Sequence, residues 1–364
     1  MGKTIGEVDK NLKVETGSGE LSLRFTNVRL EPFRLFGLWH PQEEPVFKRL
    51  PDEVAASVNE GVRARYTNTA GGRVRFSTDS LHVAIRAVMP SVTIFPHMSL
   101  AGTSGFDLYV DEPSGCTFFK TFMPPVGMTD GYESVISFPD RRMRQLTIHF
   151  PLYNDLDTLY IGLEETATLG PGAAYRHPTP VVYYGSSITQ GGCASRPGNS
   201  YEAIIARRLD CDFVNLGFSG CARGEDTMTD HIAGLDMSVF VCDYDHNAPT
   251  PEHLAATHER LFRRFREKKP RVPVVLVSRP DFENGVRENI LRRDIVYATY
   301  QNALNAGDGN VFFVDGQYLF KDENRDVCTV DAIHPNDAGF LRMAEVIGFT
   351  VNKALALASA PGRQ

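Results

Sequence analysis

The chain of 364 residues has one tryptophan, and no run of apolar residues approaches the roughly 18 that a membrane-spanning helix requires. No membrane partner is expected. The opening Met1-Gly2-Lys3-Thr4-Ile5-Gly6 lacks the apolar segment of a signal peptide, and Gly6 stands where a myristoylation motif wants Ser or Thr, so the expected address is the cytoplasm. Basic charge is short as well: 38 Lys and Arg against 45 Asp and Glu give a formal net charge of −7. Up to Gly170 the count is 17 against 21 and beyond it 21 against 24, so neither half reads as a nucleic-acid-binding module. Cys116, Cys193, Cys211, Cys221, Cys242 and Cys328 form no C-x-x-C pair, and all but Cys116 lie in or beside apolar, strand-like stretches of the second half. Buried free thiols are therefore expected. Internal repeats and low-complexity segments are absent.

What is there is a globular composition, 42% hydrophobic and 23% charged, and a length that suggests two or three domains at about 150 residues each. From about Leu21 to Glu165 short β-type runs alternate with turns. Val74 and Phe76 alternate with Arg73 and Arg75, and Leu81, Val83 and Ile85 repeat the same period, that of half-buried antiparallel strands. Further runs at Thr117 to Phe122, Tyr132 to Phe138, Gln145 to Phe150 and Thr158 to Leu163 predict an all-β sandwich, jelly-roll-like, over residues 1–170.

Between Thr166 and Pro180 the sequence turns to Gly, Ala and Pro, which predicts a linker. Beyond it the strands are apolar throughout (Val181 to Tyr184, Phe213 to Leu216, Val239 to Val241, Val272 to Val277, Val311 to Val314) and are separated by stretches of helical period. Such strands belong to a parallel sheet covered on both faces, so residues 178–364 read as a three-layer α/β/α domain. Thr250 with Pro251 opens one helix, whose apolar face holds Leu254, Leu261, Phe262 and Phe265. After Pro335 a second repeats the period through Phe340, Met343, Ile347 and Val351.

In an open parallel sheet ligands bind beyond the carboxyl ends of the strands. Those segments here carry Gly185-Ser186-Ser187, Gly217-Phe218-Ser219-Gly220, Asp245-His246-Asn247 and Asp331-Ala332-Ile333-His334. Together they suit acyl transfer. Ser187 on a strand-to-helix turn is a weak nucleophile until a base removes its proton; His334 is the candidate base, and Asp331 is placed to hold its tautomer. The N–H groups of Ser187 and Gly220 and the side chain of Asn247 are the candidate oxyanion donors, with Gly217 or a neighbouring polar group as the alternative.

The four blocks resemble the SGNH (GDSL-type) hydrolase family, with Ser187, Gly220, Asn247, and Asp331 with His334 at the matching positions and Ser186 where members often carry Asp. Gly105-Phe106-Asp107-Leu108-Tyr109, with Leu152-Tyr153 and Leu159-Tyr160-Ile161-Gly162 downstream, is similar to the GxDLY domain that precedes some SGNH esterase domains. The resemblance implies a flavodoxin-like catalytic domain and a serine esterase that needs no metal and commonly removes acetyl or other short acyl groups, often from carbohydrates.

Other readings weigh less. Gly191-Gly192 and Gly2-Lys3-Thr4 do not stand in P-loop spacing. Asp243, Asp245 and His246 are able to ligate a metal, with His231 or His334 completing the set, but consecutive loop residues rarely aim at one ion and no H-E-x-x-H helix is present. Asp322, Asn324 and Asp326 open like a calcium loop, yet Val327 replaces its Gly and Ile333 its terminal Glu. No metal or cofactor is expected. Arg196 is a candidate for the substrate rim or, equally, a loop brace paired with an acid. Trp39 and His40 suit a sugar-stacking surface, although a single Trp in a β domain is more often core, and Asp107 and Tyr109 read as structural residues of a strand.

The expected function is hydrolysis of short acyl esters, acetyl first, on a carbohydrate or other small hydroxyl compound, through an acyl-enzyme on Ser187. An acyltransferase using the same triad and a non-catalytic carbohydrate-binding protein are the alternatives, and a homo-oligomer is left open.

Overall fold

The computed structural model describes residues 21–320 and 324–359. Gly2-Lys3-Thr4 and Asp322, weighed above as phosphate and calcium candidates, lie outside them. In the first half the alternating apolar residues pair into two antiparallel sheets. One has the order β1 (Leu23–Asn27), β9 (Thr158–Glu164), β4 (His82–Val88), β7 (Gly131–Ser137). The other runs β10 (Leu169–Pro171), β3 (Arg73–Thr78), β8 (Arg144–His149), β5 (Phe106–Glu112), β6 (Gly115–Phe122), with β2 (Arg34–Phe36) also paired to β3. Val83, Ile85, Ile136, Leu159 and Ile161 of the first sheet pack with Val74, Phe76, Leu108, Leu146 and Ile148 of the second, the core of a β-sandwich. Short helices α1 (Asp52–Val58), α2 (Glu60–Arg63) and α3 (Leu100–Ser104) lie between the strands.

Two local expectations are corrected. All of β3 is buried, not half of it, because the face bearing Arg73 and Arg75 is covered. Arg73 pairs with Asp212 and donates to the Phe213 carbonyl (3.1 Å) at the start of β12 (Cys211–Gly217), a strand of the second domain. The stretch expected as a linker is ordered at both ends. Leu169–Pro171 pairs with Phe76–Thr78, and β11 (His177–Gly185) starts before Pro178. Proline is tolerated there because Pro178 and Pro180 fall in the irregularity between the His177 and Val181 pairings with β12, ahead of the regular ladder.

The second half forms a parallel sheet of order β12, β11, β13 (Val239–Asp243), β14 (Val274–Val277), β15 (Val311–Val314), which is flavodoxin-like. Helix α4 (Ser187–Gln190) follows β11 directly. Because strand side chains alternate, Val181, Tyr183, Val239 and Val241 face α5 (Tyr201–Leu209) and α9 (Asp337–Ala358). Val182, Tyr184, Phe240 and Cys242 face α6 (Asp226–Gly234), α7 (Pro251–Lys268) and α8 (Val286–Asn305). The α7 start is as its sequence suggests: the Thr250 side chain accepts from His253 N, and Leu254, Leu261, Phe262 and Phe265 are buried. Five cysteines are buried and free, and Cys116 is partly exposed. No helix among the described residues is long and apolar enough to cross a membrane.

Candidate active site

The turn out of β11 is built by close approach. A Cβ on Gly185 would stand 2.0 Å from Thr189 Oγ1 and 2.4 Å from the Asp243 carbonyl, so only glycine lets the chain enter α4 here. Ser186 caps α4, its hydroxyl accepting from Ile188 N (3.1 Å), a duty that Asp also performs well at an N-cap. Ser187 is then the first residue of a helix at a strand end, 7% exposed. Its Oγ is 2.9 Å from His334 Nε2, and His334 Nδ1 is 2.7 Å from Asp331 Oδ2. Asp331 Oδ1 accepts from the N–H groups of His334 (2.7 Å) and Ile333 (3.1 Å). Partial burial works to raise the Asp331 carboxyl, but the hydrogen bonds from the His334 main chain and ring, with that ring's charge and the Ile333 N–H, outweigh it and hold the carboxyl below the usual carboxylate range. Asp331 is therefore an anion suited to fixing a proton on Nδ1 and leaving Nε2 to accept one from Ser187.

The loop after β12 turns tightly, with Cys221 N donating to the Phe218 carbonyl (3.0 Å). Gly220 is the third residue of that turn with φ +73°, a conformation that side chains resist. Asn247 Nδ2 donates to the same Phe218 carbonyl (2.9 Å), which ties the loops after β12 and β13 together. An amide nitrogen carries two hydrogens, so one remains. The Ser187 N–H, at the first helical position, has no carbonyl one turn back to bond. The three neighbouring residues weighed as metal ligands go to separate partners. Asp243 bonds Tyr201 and Thr189, Asp245 accepts from Arg279 N (3.0 Å) and Arg292 Nη1, and His246 meets Asp281 (3.1 Å).

Residues 178–351 match the model of the GDSL-like lipase/acylhydrolase family, and residues 23–169 match that of the N-terminus of SGNH-hydrolase-type esterases. The second domain belongs to the GDSL-like lipase/acylhydrolase family. The chain is a carboxylic ester hydrolase with the N-terminal β domain of SGNH-type esterases. No protein of curated function matches it. Solved structures share its fold over both domains. A protein described as a GDSL-like lipase, from Bacteroides ovatus, is 24% identical over 92% of this chain and 98% of its own, with a TM-score of 0.82. A salicylyl-acyltransferase of a tetracycline biosynthetic pathway is 19% identical over 94% and 99%, with a TM-score of 0.74. A family two carbohydrate esterase from Clostridium thermocellum, in complex with cellohexaose, is 16% identical over 80% and 94%, with a TM-score of 0.57.

In this hydrolase the β domain grips the segments around Ser187. Asp107 and Tyr109 alternate with core residues Phe106 and Leu108, so they face the other way, onto the second domain. Arg196 Nη1 donates to Asp107 Oδ2 (2.8 Å) and to Tyr109 Oη (2.5 Å), under the ring of Phe118, and Gly198 N also donates to Asp107 (2.8 Å). Of its two expected uses, Arg196 has the brace: its guanidinium is engaged by an acid and a phenol of the first domain. The braced loop continues to the His334 side, because Ser195 N and Oγ and Asn199 Nδ2 all donate to Asp337, three residues past His334.

Sequence reasoning missed several other supports. Tyr153 Oη donates to the Ser187 carbonyl (3.0 Å), and buried Arg49 donates to the Asn215 and Gly217 carbonyls (3.3 and 2.5 Å) just before the Gly220 turn. Gln190 links Asn68 and Leu152 of the first domain to Ser219 N. Arg49 and Gln190 carry no motif, each being one polar side chain bonded to groups far along the chain, and Tyr153 stands in the Leu152-Tyr153 pair quoted above, which does not say what its hydroxyl meets. Trp39 is half-buried and tilts against His231 of α6, 5.5 Å between ring centres.

Asp243 is buried beneath the turn, its Oδ2 accepting from Tyr201 Oη (3.0 Å) and Thr189 Oγ1 (3.2 Å). Burial is the main cause that pushes its carboxyl up to about 8; the two hydroxyls pull the other way and the charge of Asp245 adds to the rise. The native state thus keeps a proton that the unfolded chain sheds at the ordinary value of 3.8. The associated stability is full below that value and is lost as pH rises through about 8. Asp243→Asn keeps an acceptor for both hydroxyls without an ionisable group. Urea denaturation of the wild type at about pH 6 and about pH 9 is expected to show a loss that Asp243→Asn lacks. Equal losses in the two proteins would contradict the protonated carboxyl.

Proposed function

We propose that this hydrolase is a serine esterase that removes short acyl groups, acetyl foremost, from carbohydrates or other small hydroxyl compounds. The single observation that carries the chemistry is the hydrogen-bonded row Ser187 Oγ, His334, Asp331, at 2.9 and 2.7 Å. Ser187 Oγ attacks the ester carbonyl carbon while His334 Nε2 takes its proton, forming a tetrahedral intermediate. The N–H groups of Ser187 and Gly220 and the remaining Asn247 amide hydrogen bond the oxyanion; a single donor of this kind is worth about 10²–10³ in rate. Collapse breaks the bond to the leaving oxygen, which receives the proton from His334, and leaves an acyl-enzyme. Water, deprotonated by His334, then releases the acid and restores Ser187. Asp331, held charged, stabilises the imidazolium in each half. Cys193, beside the Gly192 whose N–H donates to the Ser187 carbonyl, is a poor competing nucleophile: burial, with the charge of Asp331, pushes its thiol up to about 12.

The carbohydrate part of the reading is supported by the fold shared with a carbohydrate esterase that holds cellohexaose, and the short-acyl part by the family resemblance. The test is hydrolysis of nitrophenyl esters from acetate to octanoate, with and without a chelator, followed by acetylated xylo- and manno-oligosaccharides. Activity that falls steadily with chain length, resists the chelator and extends to the acetylated sugars is expected. Preference for octanoate would overturn the acyl assignment, and activity lost to the chelator would overturn the serine mechanism. Because an acyltransferase with the same triad passes the acyl group to an alcohol in place of water, alcohol acceptors are added to the same assay. Ester product in excess of free acid would favour transfer.

A further inference from the structure

The first domain reaches the catalytic centre with one more side chain, His97. The segment Phe95-Pro96-His97-Met98 closes a turn in which Met98 N donates to the Phe95 carbonyl (3.1 Å), with Pro96 in the second position that its fixed φ favours. The turn is held on three sides. Asn154 exchanges hydrogen bonds with Thr93 N and O (2.8 and 3.2 Å), Phe95 stands edge-on to Tyr153 at 5.5 Å, and Ser99 Oγ donates to the Ser195 carbonyl (2.9 Å). Tyr153 is itself bonded to the Ser187 carbonyl, so the turn is referenced to the nucleophile. At its third position His97 is exposed, and its ring centre is 5.9 Å from that of His334. Among the described residues its other ring contact is Phe95, at 6.4 Å, and neither of its nitrogens has a hydrogen-bond partner.

A rigidly mounted imidazole with nothing to bond, beside the imidazole that handles the proton, is placed for a substrate contact. We infer that His97 is a specificity-determining residue that binds a hydroxyl on the alcohol half of the ester. This deepens the esterase reading above and rests on it. The alcohol side follows from the proton path: the leaving oxygen must come within about 2.8 Å of His334 Nε2 to be protonated, so the carbons that bear it lie along His334, where His97 stands. A hydroxyl suits the site because a neutral imidazole offers one donor and one acceptor, as a hydroxyl does. A plain alkyl alcohol has nothing there for His97 to bond.

The experiment uses the full chain and two acetate esters that differ in the alcohol, glycerol monoacetate and ethyl acetate, with wild type, His97→Ala and His97→Gln. For His97→Ala, kcat/KM on glycerol monoacetate is expected to fall about 3- to 10-fold, the worth of one hydrogen bond. On ethyl acetate it should change less than about twofold, and His97→Gln should recover much of the loss because its amide also donates and accepts. Equal falls on both esters would mean that His97 only supports His334, and no change on either would mean that it touches no substrate; both overturn the inference. Failure of the underlying reading shows elsewhere, in a wild type that hydrolyses neither ester, and the inference falls with it. A wild type that hydrolyses both without favouring the hydroxylated one removes the carbohydrate preference, while the variant-to-wild-type ratio still decides His97.

Discussion

Ser187→Ala is expected to lower ester hydrolysis by at least roughly 10⁴-fold, with residual turnover left to the oxyanion donors and substrate binding. Nothing else near the site replaces the lost oxygen. Cys193 is a neutral thiol at any working pH, and Thr189, the other hydroxyl of α4, is buried and donates to Asp243. The fold should tolerate the change, because Ser187 Oγ bonds His334 and the local turn depends on Ser186 and Gly185 instead. Thermal unfolding should therefore shift by no more than a surface-like substitution does, within about 0.5 kcal/mol. The matching chemical test is labelling by a fluorophosphonate probe, expected at Ser187 in the wild type and absent in the variant. Full activity in Ser187→Ala, or label on another residue, would move the nucleophile away from this turn.

Arg196→Ala should produce the largest loss of stability among single changes near the site, about 3–5 kcal/mol, because it strands a buried carboxylate. The Asp107 side chain is fully buried, and burial already raises its carboxyl against the pull of Arg196, Thr121 and the Gly198 N–H. Without the guanidinium the carboxylate keeps two neutral donors and no hydrogen-bonded cation. Tyr109 loses its hydrogen-bond partner as well, and the loop that hands three hydrogen bonds to Asp337 loses its charged hold on the first domain and keeps only the bonds of Gly198 N and the Ser195 carbonyl. Stability and activity should fall together, read as a lower urea midpoint and a lower kcat. Asp107→Leu combined with Arg196→Met removes both charges and should recover part of the stability that Arg196→Ala loses, since an apolar pair of similar size carries no desolvation penalty. If Arg196→Ala unfolds at the wild-type midpoint, the domain brace is not there.

The fold class was legible because it depends on local period. Apolar runs such as Val239 to Val241 admit a strand buried on both faces, and the 3–4 spacing of Leu254, Leu261 and Phe265 admits a helix on one face. The same logic failed at β3, where alternation of arginine with Val74 and Phe76 reads as a solvent face. A period reports which residues share a side, and it cannot report what covers that side. Arg73 faces Asp212, 139 residues away, and only the docked domains show it.

By itself the sequence determined the order of the strands along the chain and which chemically able residues stand after each of them. Ser187, Gly220, Asn247, Asp331 and His334 are visible there because strand ends are punctuated by glycine, polar turns and helix caps. Tertiary structure alone decided what surrounds them: Arg196 turned into the domain interface, Asp243 buried with its carboxyl pushed up, Arg49 and Tyr153 bonded to carbonyls beside the loops after β12 and β11, and His97 carried across from another domain to His334. The physical reason is range. Period, capping and turn chemistry act over a few residues, whereas a buried charge or an imidazole beside His334 owes its properties to groups tens to hundreds of residues away.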